Sequence, residues 1–197
     1  MSVKNKINNI NLWLKKNTSI NEKILFVTKF ETGQSNPTFL LKSEDKSYVL
    51  RSKPLGNLLR GAHRIDREYK VMSALSNSKI PIPKMYGYCC DMNIIGSEFY
   101  IMEFLNGAHE FDPDLPNYST EQRDKIYKHK IKILAELVKL DLKKIGLENF
   151  GKPYGYLERQ INLWIKQYRD SETKHIKSME YLIDNIPKYI PTDIDNL

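Results

Sequence analysis

No uninterrupted apolar run in this 197-residue chain approaches the roughly 20 residues that a membrane span needs. There is no signal-peptide core at the start either, so the cytosol is the expected location. Cysteine is scarce: the two present, Cys89 and Cys90, are adjacent, a spacing that suits neither a zinc knuckle nor a redox CxxC pair. Inside the apolar run Met85 to Cys90 both read as small buried hydrophobes of a reducing compartment. Compact Lys/Arg runs are also missing. The formal charge of +7 comes from lysines scattered among Asn and Ile. That describes a solvated basic surface and argues against a nucleic-acid partner, which needs clustered phosphate contacts. Internal repeats are absent.

Hydrophobic residues at 41% and charged residues at 28% describe an ordinary globular chain. Val3, Ile7, Ile10 and Leu14 recur at helical spacing, and the mixed polar face predicts a helix packed on its own sheet rather than on a membrane. KILFVTKF (23–30) and TFLLK (38–42) read as strands joined through Gly33, Ser35, Asn36 and Pro37, and YVLR supplies a third. HRIDREYKVMSAL places Ile65, Tyr69, Met72 and Leu75 on one helical face. IPIPK is extended because each proline restricts the residue before it. MYGYCC and SEFYIMEFL give two more strands, divided by 91–96.

After Asn106-Gly107 the pattern turns helical. Ser119 and Gln122 make a capping box ahead of a helix carrying Ile126, Ile133, Leu137 and Leu140. A second helix aligns Leu157, Ile161, Trp164 and Tyr168, and a third carries Ile176, Met179 and Ile183. The order is helix, three strands, helix, two strands, then helices only.

The phrases GQSNPTFLL, YVLR followed by KP and GAH, DREYKVM, IPIPKMYG, IGSEFYIMEFLNG and GYLERQINLW run from about Phe30 to Arg169. In that order they resemble the aminoglycoside phosphotransferase family, most closely the domains related to those fused to some acyl-CoA dehydrogenases. The resemblance implies an α+β, protein-kinase-like fold. Residues 1–105 would be an antiparallel-sheet N-lobe with one inserted helix, and 106–197 the first helices of an incomplete helical C-lobe. It implies ATP as the nucleotide, with magnesium. The acceptor would be a hydroxyl on a small molecule, an aminoglycoside or, in the dehydrogenase-linked branch, a hydroxyacyl-CoA.

By that resemblance Arg51 takes the place of the strand lysine that contacts the nucleotide phosphates, and Glu68 that of the helix glutamate holding the cation. Arginine keeps its charge and offers two parallel N–H donors to an oxyanion, which lysine cannot. Gly33, Gln34, Ser35 and Asn36 would form the loop over the phosphates, donating backbone N–H groups. Glu103 and Leu105 fall on the linker whose backbone meets adenine. Asp66 in HRID imitates a catalytic motif but stands before the helix of Glu68, with no metal-binding Asn following it.

The family's catalytic segment, His-Gly-Asp followed by an Asn and then a metal-binding Asp, is not found. The four histidines are His63, His109, His129 and His175, and none precedes Gly-Asp. Asp112 and Asp114 read as a solvated turn, and Asp193 and Asp195 as a frayed tail. The expectation is a nucleotide-side fragment, inactive alone through a split or shortened frame. It would associate with itself or with a polypeptide carrying the rest of the C-lobe. The alternative is a non-catalytic nucleotide-binding or interaction module.

Overall fold

The computed structural model describes residues 3–31, 35–56, 63–108, 110–152 and 154–191. Five strands form one antiparallel sheet: β1 (Phe26–Lys29), β2 (Thr38–Lys42), β3 (Ser47–Ser52), β4 (Met85–Cys89) and β5 (Phe99–Glu103). They lie in the order β1-β2-β3-β5-β4. Helix α1 (Ile7–Asn17) precedes the sheet, α2 (Ile65–Ala74) is inserted between β3 and β4, and the short α3 (Met92–Ile95) links β4 to β5. After β5 the described elements are helical, with α4 (Thr120–Val138), α5 (Tyr156–Ser171) and α6 (Lys177–Asn185). Contacts group the chain into two compact units, Met1–Ile145 and Gly146–Leu197.

Period-2 alternation divides the sheet into two faces. Phe39, Leu41, Tyr48, Leu50, Cys89, Phe99 and Ile101 join one buried cluster with Ile10 and Leu14 of α1. The helix therefore covers its own sheet, as its mixed polar face predicts. Trp13 meets Phe99 edge-on with ring centroids 4.9 Å apart. Asn11 fixes the return of the chain, because its amide donates to the Ile24 carbonyl (2.9 Å) and accepts from the Ile24 N–H (2.7 Å). β4 slips register between Met85 and Gly87. Gly87 sits under α1, and a Cβ there would lie 3.1 Å from both the Trp13 ring and the Thr18 methyl. A side chain at this position would push the helix off the sheet.

Cys89 is buried and Cys90 is exposed. The expectation that both are core residues is corrected for Cys90, which follows the last residue of β4 and loses the sheet's cover. The 91–96 segment, read as a plain connection, contains α3, whose N-cap Asp91 accepts from the Asn93 N–H at 2.9 Å. The capping box of α4 forms as predicted: the Gln122 N–H donates to Ser119 Oγ (3.3 Å), and the Ser119 N–H to Gln122 Oε1 (2.8 Å). In the second unit, Leu157, Ile161, Trp164 and Tyr168 of α5 line an apolar groove of about 420 Å³ with Met179, Leu182 and Ile183 of α6. Among the described residues no helix is long and apolar enough to cross a membrane.

One surface cluster gives an acid-stability prediction. Lys46 donates to Glu22, and the Tyr48 hydroxyl donates to it at 2.9 Å. Led by the Lys46 hydrogen bond, these hold the Glu22 carboxyl down at about 2, against an ordinary 4.5. A carboxyl with a depressed folded pKa stabilises above its unfolded value and loses that contribution as pH falls through the folded one. Glu22→Gln should therefore flatten the melting temperature's dependence on pH between 4.5 and about 2. An unchanged slope in thermal melts across that window would contradict the assignment.

Candidate nucleotide site

On the face of the sheet opposite α1, the register aligns Thr38 of β2, Arg51 of β3, Tyr100 of β5 and Tyr88 of β4 in one cross-strand row. Helix α2 lies over this row, with the Tyr69 ring stacked 5.6 Å from Tyr88 and tilted 6.1 Å from Tyr100. This docking brings Glu68 down onto the arginine. Arg51 Nε donates to Glu68 Oε2 at 2.8 Å, and its Nη1 donates to Thr38 Oγ1 at 3.1 Å. The Thr38 hydroxyl gives its own proton to the Asn36 carbonyl (3.1 Å) and is free to accept. Two of the three guanidinium nitrogens are thus held by the protein. Nη2 has no acceptor among the described residues, and the side chain is 28% exposed.

Glu68 is fixed by more than the arginine. Its Oε2 also accepts from the Tyr100 hydroxyl at 3.0 Å, and its Oε1 accepts from the Asn36 side-chain amide at 2.8 Å. Burial first, and then the charge of Glu68, raise the Tyr100 phenol well above the usual tyrosine range. It stays protonated at working pH and remains a donor. A cation oriented on one edge and open on the other is the arrangement that an anionic ligand requires.

Two residues along the strands, about 7 Å away, a second row on the same face is apolar from β2 to β5, where Leu40, Val49 and Met102 are cross-strand partners, and ends at Thr28 on β1. Val49 is 6% exposed, while Leu40 and Met102 are half-buried. Charge and apolar floor stand side by side, as a ligand with a phosphate end and a flat ring demands.

Of the residues expected at the site, Arg51, Glu68 and Asn36 come together. Gly33 and Gln34 lie outside the described residues, and Ser35 is exposed. Glu103 has its backbone N–H on the Lys84 carbonyl (2.8 Å), and its carboxylate accepts the Lys84 N–H (3.0 Å). Its N–H is therefore engaged within the protein. Leu105 is 59% exposed, and among the described residues its N–H has no partner. Asp66 binds Arg64 through both oxygens, at 2.8 and 2.6 Å. Sequence reasoning missed Thr38 and Tyr100. Each is a polar residue in an otherwise apolar strand phrase, and counting register from Arg51 would have found them.

The described residues around Arg51 offer no carboxylate set that fits magnesium. Among the described residues, one group of His, Asp, Glu or Cys is close enough for a metal: Glu172, His175 and Glu180. It belongs to the second unit, and Arg169 already binds both glutamates. Asp112 accepts the Asp114 N–H at 2.9 Å, forming a turn.

The fold is that of the kinase-like phosphotransferases, and residues 27–196 match the phosphotransferase enzyme family APH, to which the chain belongs. Acyl-CoA dehydrogenase family member 11 of Rattus norvegicus is 43% identical over 173 residues, covering 88% of this chain and 22% of that protein. Family member 10 of Mus musculus is 42% identical over 163 residues, covering 83% and 15%. The crystal structure of a Ralstonia eutropha protein described as an aminoglycoside phosphotransferase superposes with a TM-score of 0.75 at 38% identity. That match covers 96% of this chain and 55% of the other. The chain thus spans less than a quarter of these curated relatives and about half of the structural neighbour.

Proposed function

We propose that this chain is the nucleotide-holding part of an ATP-dependent phosphotransferase whose acceptor is a hydroxyl on a small molecule. The observation that carries the reading is Arg51, tied to Glu68 and Thr38, with its Nη2 open beside the apolar row Leu40, Val49 and Met102. ATP meets both features at once: its phosphates match the guanidinium edge, and its adenine matches the apolar floor. In the same reading the linker supplies Leu105's N–H to the base, and the partner is a free nucleotide in the cytosol rather than a nucleic-acid strand. Competition against a fluorescent ATP analogue tests this. ADP should displace it at lower concentration than either adenosine or pyrophosphate. Equal displacement by pyrophosphate would reduce the site to a general anion site.

These 197 residues do not transfer the phosphoryl group by themselves in this reading. His-Gly-Asp is absent from the sequence, and the carboxylate of Asp66 is committed to Arg64. Positioned acid-base and metal-binding groups dominate phosphoryl-transfer catalysis. They would come from a segment equivalent to the part of the structural neighbour that these residues do not match. Helix α4 supports such a contact: Tyr127, Ile131, Leu134 and Val138, at helical spacing along it, are 43%, 63%, 54% and 77% exposed. An unpartnered apolar face of this kind also favours self-association. Magnesium-dependent phosphoryl transfer by the purified chain alone would contradict the division of labour. It would also count against the remaining alternative, a non-catalytic nucleotide-binding module.

A further inference from the structure

We propose that Asn36 and His63 are positioning residues for Arg51, acting through Glu68, a role that rests on Arg51 being the nucleotide's cation. Asn36 is 4% exposed and its side chain spans two partners. Its Nδ2 donates to Glu68 Oε1 at 2.8 Å, and its Oδ1 faces His63 Nδ1 at 3.0 Å. The orientation of the amide follows from chemistry, since an ionised carboxylate can only accept and the NH₂ end must face Glu68. Oδ1 is then an acceptor, so His63 carries its proton on Nδ1 and donates.

The resulting chain runs in one direction, from the His63 N–H through the Asn36 amide to Glu68, whose other oxygen takes Arg51 and Tyr100. Each donor polarises the next, and the carboxylate is left one orientation in which to meet the guanidinium. His63 is held for this task by an uncommon backbone. Its φ is +56°, a left-handed conformation that His, Asn and Asp tolerate better than other side-chain-bearing residues. Its carbonyl accepts the Ile65 N–H at 3.0 Å, at the start of α2. One turn therefore places both the imidazole and the helix that carries Glu68.

The test combines nitrogen-15 NMR of the Arg51 Nε–H with ADP affinity in the full chain, using Arg51→Lys to assign the resonance. In the unsubstituted protein that proton, bonded to a carboxylate at 2.8 Å, should exchange slowly with water. Asn36→Ala and His63→Ala should each accelerate exchange about tenfold and weaken ADP about five- to tenfold, the scale of one lost hydrogen bond. His63→Asn retains a donor near the Nδ1 position and suits a positive φ, so it should restore both readouts to near the original values. Circular dichroism confirms that each variant is folded, and His63→Asn tests the donor in a backbone it is suited to. Unchanged exchange in folded Asn36→Ala and His63→Ala would overturn the proposal, and so would a His63→Asn variant as impaired as His63→Ala. If the exchange responds as stated while ADP fails to bind the original protein, the positioning stands and the nucleotide reading falls.

Discussion

Arg51→Ala should weaken ADP binding by about a hundredfold, while the melting temperature moves by no more than a few degrees. The binding loss is large because a charge-assisted contact to phosphate contributes about 1.5–3 kcal/mol and no other described cation occupies this row of the sheet. The stability loss is small because the pair with Glu68 is partly solvated, with side chains 28% and 35% exposed. Glu68 keeps its bonds to Asn36 and Tyr100 when the arginine goes. Arg51→Lys separates charge from geometry. An ammonium cannot reproduce the fixed fork that holds Glu68 and Thr38 and still presents an open edge, so about a tenfold loss is expected despite the retained charge. Fluorescence titration of ADP into the three proteins checks the order. Equal affinity in all three would remove Arg51 from the site.

The second large effect contrasts neighbouring residues of β5. Phe99→Ala should cost about 3–5 kcal/mol, the usual range for emptying a buried aromatic position. Phe99 is 0% exposed on the α1 face and meets Trp13 edge-on. Such a loss is comparable with the entire stability of an ordinary domain. Tyr100 points the other way, toward α2 and Glu68. Tyr100→Phe keeps the ring and deletes one donor, so it should cost only about 1 kcal/mol and weaken ADP a few-fold. Urea unfolding followed by circular dichroism measures both. A mild Phe99→Ala, or a Tyr100→Phe as damaging as Phe99→Ala, would mean that the two faces are wrongly assigned.

The strand phrases were legible because a half-buried sheet writes its faces into alternate residues. TFLLK, YVLR and FYIME each carry apolar core positions at every second place. The link between Arg51 and Glu68 was legible only through the family resemblance, since 17 residues separate them and no local rule makes them neighbours. Asn36 shows the limit of that route. The resemblance assigns it a backbone N–H in a phosphate loop and gives no role to its buried side chain, which spans Glu68 and His63. His63 was noticed for an imitation motif, and its actual partner lies 27 residues earlier. The exposure of Cys90 and the engagement of Glu103 with Lys84 depend on where a strand ends, to within one residue. Hydrophobic patterning does not resolve a boundary that finely.

The central claim is that Arg51, oriented by Glu68, presents its open edge to a nucleotide's phosphates. A crystal structure of the chain grown with ADP tests it most directly. The account predicts a phosphate oxygen within about 3.2 Å of Arg51 Nη2, the base over Leu40, Val49 and Met102, and the Arg51–Glu68 bond intact. Bound ADP with its phosphates elsewhere, or with Arg51 turned away from them, would contradict it.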